Sequence, residues 1–156
     1  MNEDVGQPLG ASEGQDPFGR VRTSFEKQGL MRLLGAKVVE AGEGFCSIEV
    51  PYSDEVTQQE RYFHGAVIGA LGDNASGYAA LTLAPPDREV LTVEYKVNFL
   101  APAFGKKLIA RGEVVTAGRR LFVCKAEVSA VDGGEERVCA ALLQTVSLSP
   151  ANTANP

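Results

Sequence analysis

One long helical segment followed only by strand patterns is the feature that most limits how this chain can fold. Between His64 and Leu83, bulky residues fall at 67, 68, 71, 75 and 78, the spacing of an apolar stripe along a helix. After Pro85-Pro86-Asp87 the pattern changes to alternation and does not change back. Leu91, Val93, Tyr95, Val97 and Phe99 alternate with Thr92, Glu94, Lys96 and Asn98, the period of a half-buried antiparallel strand. Three further strands are expected at about 106–117, 120–131 and 136–148, divided by the turn signals Ala117-Gly118-Arg119 and Asp132-Gly133-Gly134. Ahead of the helix, residues 36–51 read as a hairpin in which Cys46, Ile48 and Val50 share one face. Before that, Asp16 to about Leu34 is helical in pattern, opened by an Asp16-Pro17 cap and broken at Gly29. The order is helix, two strands, long helix, four strands. It predicts an α+β fold with one helix packed on a mainly antiparallel sheet.

At 156 residues the chain suits one domain, with a core large enough to need no disulfide or metal staple. Its net charge is -5, but Glu3, Asp4, Glu13 and Asp16 all fall in the first 16 residues, which hold no Lys or Arg. The remaining body carries 16 acids and 15 bases and is nearly neutral. Nucleic acid, which needs a basic patch, is not the expected partner, while an anionic small molecule stays compatible. Residues 1–16 read as a disordered acidic tail and 149–156 as a C-terminal tail. Cys46, Cys124 and Cys139 lie inside apolar segments, as buried free thiols of a reducing compartment do. With one histidine and no CxxC pair, no metal site is expected. No signal-peptide pattern and no membrane-length apolar run is present, so a cytoplasmic protein without membrane association is expected.

The long helix carries one oddity. Asp73 sits about 200° around from Leu71, and its neighbours on that side are Ala66, Gly69, Ser76, Gly77 and Ala80. An exposed Asp alone needs no explanation. Exposed helical faces, however, are usually filled by Glu, Lys, Arg and Gln, and each glycine there costs roughly 1 kcal/mol against Ala. Small residues around a carboxylate suggest that another backbone or a ligand comes close. At the start of the same helix stands His64-Gly65, where free N–H groups and the positive end of the macrodipole meet. A Gly there lets a carbonyl approach the amide, which can stabilise a developing oxyanion. It is also an ordinary residue at a helix start, and a lone His in that place is commonly a structural hydrogen-bonder.

Three stretches carry a family resemblance. Phe63-His64-Gly65-Ala66-Val67-Ile68-Gly69-Ala70-Leu71-Gly72-Asp73-Asn74-Ala75 resembles the His-Gly-Gly…Leu-x-Asp segment of hotdog-fold thioesterases, and most of all their phenylacetic-acid-degradation (PaaI-like) branch. Val93-Glu94-Tyr95-Lys96-Val97-Asn98-Phe99-Leu100-Ala101-Pro102-Ala103 is similar to that branch's strand, and Gly118-Arg119-Arg120-Leu121 to its turn. The resemblance spans about residues 18–148. It implies a single hotdog domain over 17–148, its central helix wrapped by a curved sheet, that hydrolyses an aryl- or medium-chain acyl-CoA. It further implies Asp73 as general base or nucleophile, the Gly65 amide as the carbonyl's hydrogen-bond donor, and His64 in support. Thr92 and Gln58 match water-orienting positions. Candidate substrate contacts are Gln59, Asn74, Arg88, Arg119 and Arg120. Ala66 departs from the family's second glycine. No cofactor is implied, since CoA is part of the substrate. A non-catalytic acyl-CoA sensor on the same fold is the alternative; a hotdog dehydratase would want a histidine paired with an acid.

Spacing adds an independent constraint. Gly65 and Asp73 are eight residues apart on one helix, about 12 Å. One thioester carbonyl cannot meet both at roughly 3 Å. If both act on one substrate they come from different subunits, so a homodimer is expected, with a dimer-of-dimers tetramer expected from the family.

Overall fold

In the computed structural model, residues 16–151 are described. The acidic segment 1–15 and residues 152–156 lie outside them, so the tail expectations for those residues are not addressed. The elements are α1 (Pro17–Phe25), α2 (Gly29–Leu33), β1 (Lys37–Gly42), β2 (Phe45–Pro51), a 3-10 turn (Asp54–Val56), α3 (Gly65–Leu83), β3 (Arg88–Phe99), β4 (Lys107–Ala117), β5 (Leu121–Asp132) and β6 (Glu135–Pro150). The six strands form one antiparallel sheet in the order β1-β2-β4-β5-β6-β3, which leaves β1 and β3 at its edges. β6 runs to Pro150, pairing Ser149 with Glu89, so the last strand continues two residues into the segment expected to be tail.

Local signals account for the ends of the helices. Asp16 caps α1 by accepting from the Phe18 N–H at 3.0 Å, with Pro17 at the first helical position. The helical pattern does break, but over Glu26–Gln28; Gly29 opens α2 instead of ending α1. Gly35, at φ +66°, turns the chain out of α2 in a conformation that other residues resist. His64 caps α3, its Nδ1 accepting from the Ala66 N–H at 2.9 Å.

The sheet curls around α3, and the core fills the space between them. Ile68, Leu71, Ala75, Tyr78 and Leu81 of the helix meet Ile48, Leu108, Ala126, Val128 and Leu142 of the sheet. Burial extends beyond the expected stripe: Ser76 and Ala80 are also fully buried, Ala80 against Phe122, Cys124 and Val146. Much of the small face around Asp73 is therefore small because sheet backbone closes on it. A side chain on Gly112 of β4 would start 2.2 Å from the Ala75 carbonyl carbon, so helix and strand touch backbone to backbone there. Gly77 differs, with nothing within 4 Å of where its Cβ would be.

β3 departs from its alternation. Its pairing with β6 slips between Thr92 and Glu94, leaving Val93 as a bulged residue. One extra residue in a period of two moves every later side chain to the other face. Val90 and Thr92 face α3 before the bulge; Tyr95, Val97 and Phe99 face it after. Leu91, expected on the inner face, is 65% exposed.

Candidate active site

Asp73 lies halfway along α3, where Thr92 of β3 and Gln144 of β6, both well inside their strands, meet it. Thr92 donates its hydroxyl hydrogen to Asp73 Oδ1 at 2.7 Å. Gln144 of β6 donates from Nε2 to the same Oδ1 at 2.7 Å and to Thr92 Oγ1 at 2.8 Å. The three side chains form a closed triangle. No hydrogen bond to Asp73 Oδ2 is found among the described residues. Thr92 joins the site because the bulge turns it inward. Its hydroxyl hydrogen is spent on Asp73 Oδ1.

A cavity of about 510 Å³ opens beside this carboxylate. Gly77, Leu81, Val90 and Leu91 give it apolar walls, Ser24, Gln28, Asn74 and Tyr78 form a polar rail between the α1–α2 segment and α3, and Lys27 and Glu89 add charge to its lining. Gln28 Nε2 donates to Asn74 Oδ1 at 2.8 Å and to the Tyr78 hydroxyl at 2.7 Å. Asn74 Nδ2 donates to the Ala70 carbonyl at 2.9 Å, and Ser24 lies 3.3 Å from the Tyr78 hydroxyl. Burial holds the Tyr78 phenol above its ordinary range, so it stays neutral and keeps its hydrogen.

The other expected site residues stand elsewhere. The Gly65 N–H has no hydrogen-bond partner among the described residues and sits at the positive end of α3, where Phe99 closes over it. His64 spends Nδ1 on capping. Gln58 is tied into its own turn: its N–H donates to the Tyr62 carbonyl at 2.9 Å, its carbonyl accepts from Arg61, and its side-chain oxygen accepts from the Glu60 N–H. Gln59 is exposed. Arg88 is exposed beside Asp87, 3.7 Å away, and Arg119 and Arg120 are exposed in the β4–β5 turn. So the structure joins Asp73, Thr92 and Asn74 on one cavity, and keeps Gly65, His64 and Gln58 at the far end of the helix. Gln144 was missed. Its signal was a lone amide at an inward position of β6, between Leu142 and Val146.

Among the described residues, no group of three or more His, Cys, Asp or Glu is placed to hold a metal, and no helix is long and apolar enough to cross a membrane. Burial pushes the Cys46 thiol up to about 12 and the Cys124 thiol to about 11, which keeps both unreactive.

One long helix in the grip of a curled antiparallel sheet, with a carboxylate at its middle, defines the hotdog class. A family model described as the thioesterase superfamily matches residues 61–137. A crystal structure of a thioesterase family protein from Silicibacter pomeroyi superposes with a TM-score of 0.85 at 38% identity, covering 87% of this chain and all of that one. A protein of Saccharolobus solfataricus, provisionally named an esterase, is 31% identical over 76% of this chain and 85% of its own length. The Escherichia coli PaaI protein from the phenylacetic acid degradation operon shares the fold, with a TM-score of 0.74 at 19% identity over 84% of this chain and 91% of that one. The chain belongs to the thioesterase superfamily, a family of thioester hydrolases.

Proposed function

We propose that this protein hydrolyses acyl-CoA thioesters, with Asp73 as the reacting carboxylate and the Gly65 amide of a second copy as the oxyanion donor. The observation that carries this reading is the Asp73 carboxylate held by Thr92 and Gln144 through Oδ1 while standing on the wall of an acyl-sized cavity. In one route Oδ2 takes a proton from water as the oxygen attacks the thioester carbonyl. In the other Oδ2 attacks directly, CoA thiolate leaves, and water hydrolyses the mixed anhydride. Both routes put charge on the carbonyl oxygen, where an unpartnered N–H at a helix start is most effective. A thioester is already activated, so neither route calls for a metal or redox group.

Three features support a homodimer. β3 is an edge strand, and Leu91, Val93, Tyr95 and Phe99 along it are exposed apolar residues. Long apolar edges are normally covered. Thr92 touches Asp73 and Phe99 touches Gly65, and with Val93 bulged out of the count the two stand three places to either side of Lys96. An antiparallel pairing of β3 with its copy about that point sets Thr92 opposite the second copy's Phe99. It thereby carries the second copy's Gly65 toward Asp73. The bulge is required for this, because residues 92 and 99 share a face only if one residue between them is out of register. A dimer of such dimers follows the family, and Arg88, Arg119 and Arg120 remain candidates for the CoA phosphates.

The polar wall of the cavity, the rail with Lys27 and Glu89 beside it, favours an aryl or other acyl group with a hydrogen-bonding end over a plain alkyl chain, which would displace water from those charged groups and return no hydrogen bond. The test is thiol release from a panel of aryl- and alkyl-CoAs. Turnover is expected with at least one of them, and Asp73→Asn is expected to abolish it while CoA binding persists. Tight acyl-CoA binding with no release from any thioester would favour the sensor alternative.

A further inference from the structure

We propose that Gln144 is a positioning residue that fixes the Asp73 carboxylate so that Oδ2 alone is presented to the substrate; this rests on the thioesterase reading above. Gln144 occupies an inward place on β6 where Ala140, Leu142 and Val146 are the neighbouring inward residues. An apolar side chain would pack there without difficulty. Instead the position holds a fully buried amide whose Oε1 has no hydrogen-bond partner among the described residues. A buried polar atom without a partner destabilises a fold, so stability does not explain this residue.

The donor count explains it. A carboxylate only accepts, so the amide nitrogen faces Asp73, and its two hydrogens go to Asp73 Oδ1 and Thr92 Oγ1. With Thr92 Oγ1 accepting from Gln144, the threonine hydroxyl hydrogen turns to Asp73 Oδ1, which completes the triangle. Two hydrogen bonds on one oxygen hold the carboxylate plane. The other oxygen is left for the cavity. Gln144 thus acts through Asp73 and touches no reacting atom.

Gln144→Met tests this, because it keeps length and apolar volume while removing both donors and the orphan oxygen. The account expects kcat to fall about tenfold to a hundredfold, the cost of a lost charge-assisted hydrogen bond, with KM nearly unchanged and Tm equal or higher. If Gln144→Met fails to fold, Gln144→Leu fills the place with an apolar side chain and likewise removes both donors, and the same fall in kcat is expected. Wild-type kcat in a folded Gln144→Met protein overturns the inference. So does a fall in activity that only tracks a fall in Tm. These failures leave Asp73 chemistry standing, since the Asp73→Asn comparison is made in the same assay. A wild-type protein that hydrolyses no thioester overturns both readings.

Discussion

A carboxylate with two hydrogen bonds on one oxygen and none on the other is chemically asymmetric, and among the described residues Asp73 is held this way by Thr92 and Gln144. The asymmetry makes Thr92 separable from simple packing. Thr92→Val keeps the side-chain shape and removes the hydroxyl, so kcat for thioester hydrolysis should drop about tenfold. Thr92→Ser keeps the hydroxyl and should stay within a few-fold of wild type, as steady-state kinetics will show. Asp73 was legible in the sequence because a charge among Gly, Ala and Ser on a helix is out of place. Gln144 was not picked out, since a single amide in an apolar strand is only a signal once the inward positions are known. Gln58 and His64 matched their family positions by type, yet the sequence could not show that both spend hydrogen-bonding groups on local turns and caps.

At the scale of elements, the site depends on how closely α3 sits in the sheet. Gly112→Ala would drive a methyl group into the Ala75 backbone, which cannot yield without moving the helix. It should cost about 3 kcal/mol or prevent folding. Gly72→Ala, by contrast, meets only the end of the Leu142 side chain, and Ala gains roughly 1 kcal/mol of helix propensity, so its net cost should be about 1 kcal/mol or less. Denaturant unfolding of the two variants measures the difference. The number of strands and their sequence along the chain were legible from alternation, and so was the one long helix; their order in the sheet was not. The bulge at Val93 was not. Nothing in Leu91-Thr92-Val93-Glu94-Tyr95 marks it, because the alternation continues unbroken through a point where the backbone does not. That single residue decides that Thr92 faces Asp73 and that Leu91 faces outward.

For the whole molecule, the charge gathered in the first 16 residues leaves a nearly neutral body, which is no barrier to an anionic thioester. The proposed unit of function is larger than one chain: Asp73 and Gly65 stand at separate places on α3, and each would serve a different active site. Complementation between two inactive variants tests this most directly. Asp73→Asn removes the carboxylate and leaves the amide. Gly65→Pro removes the amide hydrogen at the first position of a helix, where proline is well tolerated, and leaves the carboxylate. Each variant alone should be inactive. Co-expressed, half of the dimers should be mixed with one intact site each, and about a quarter of wild-type turnover should return. A mixed population that forms dimers yet stays inactive would contradict the shared site.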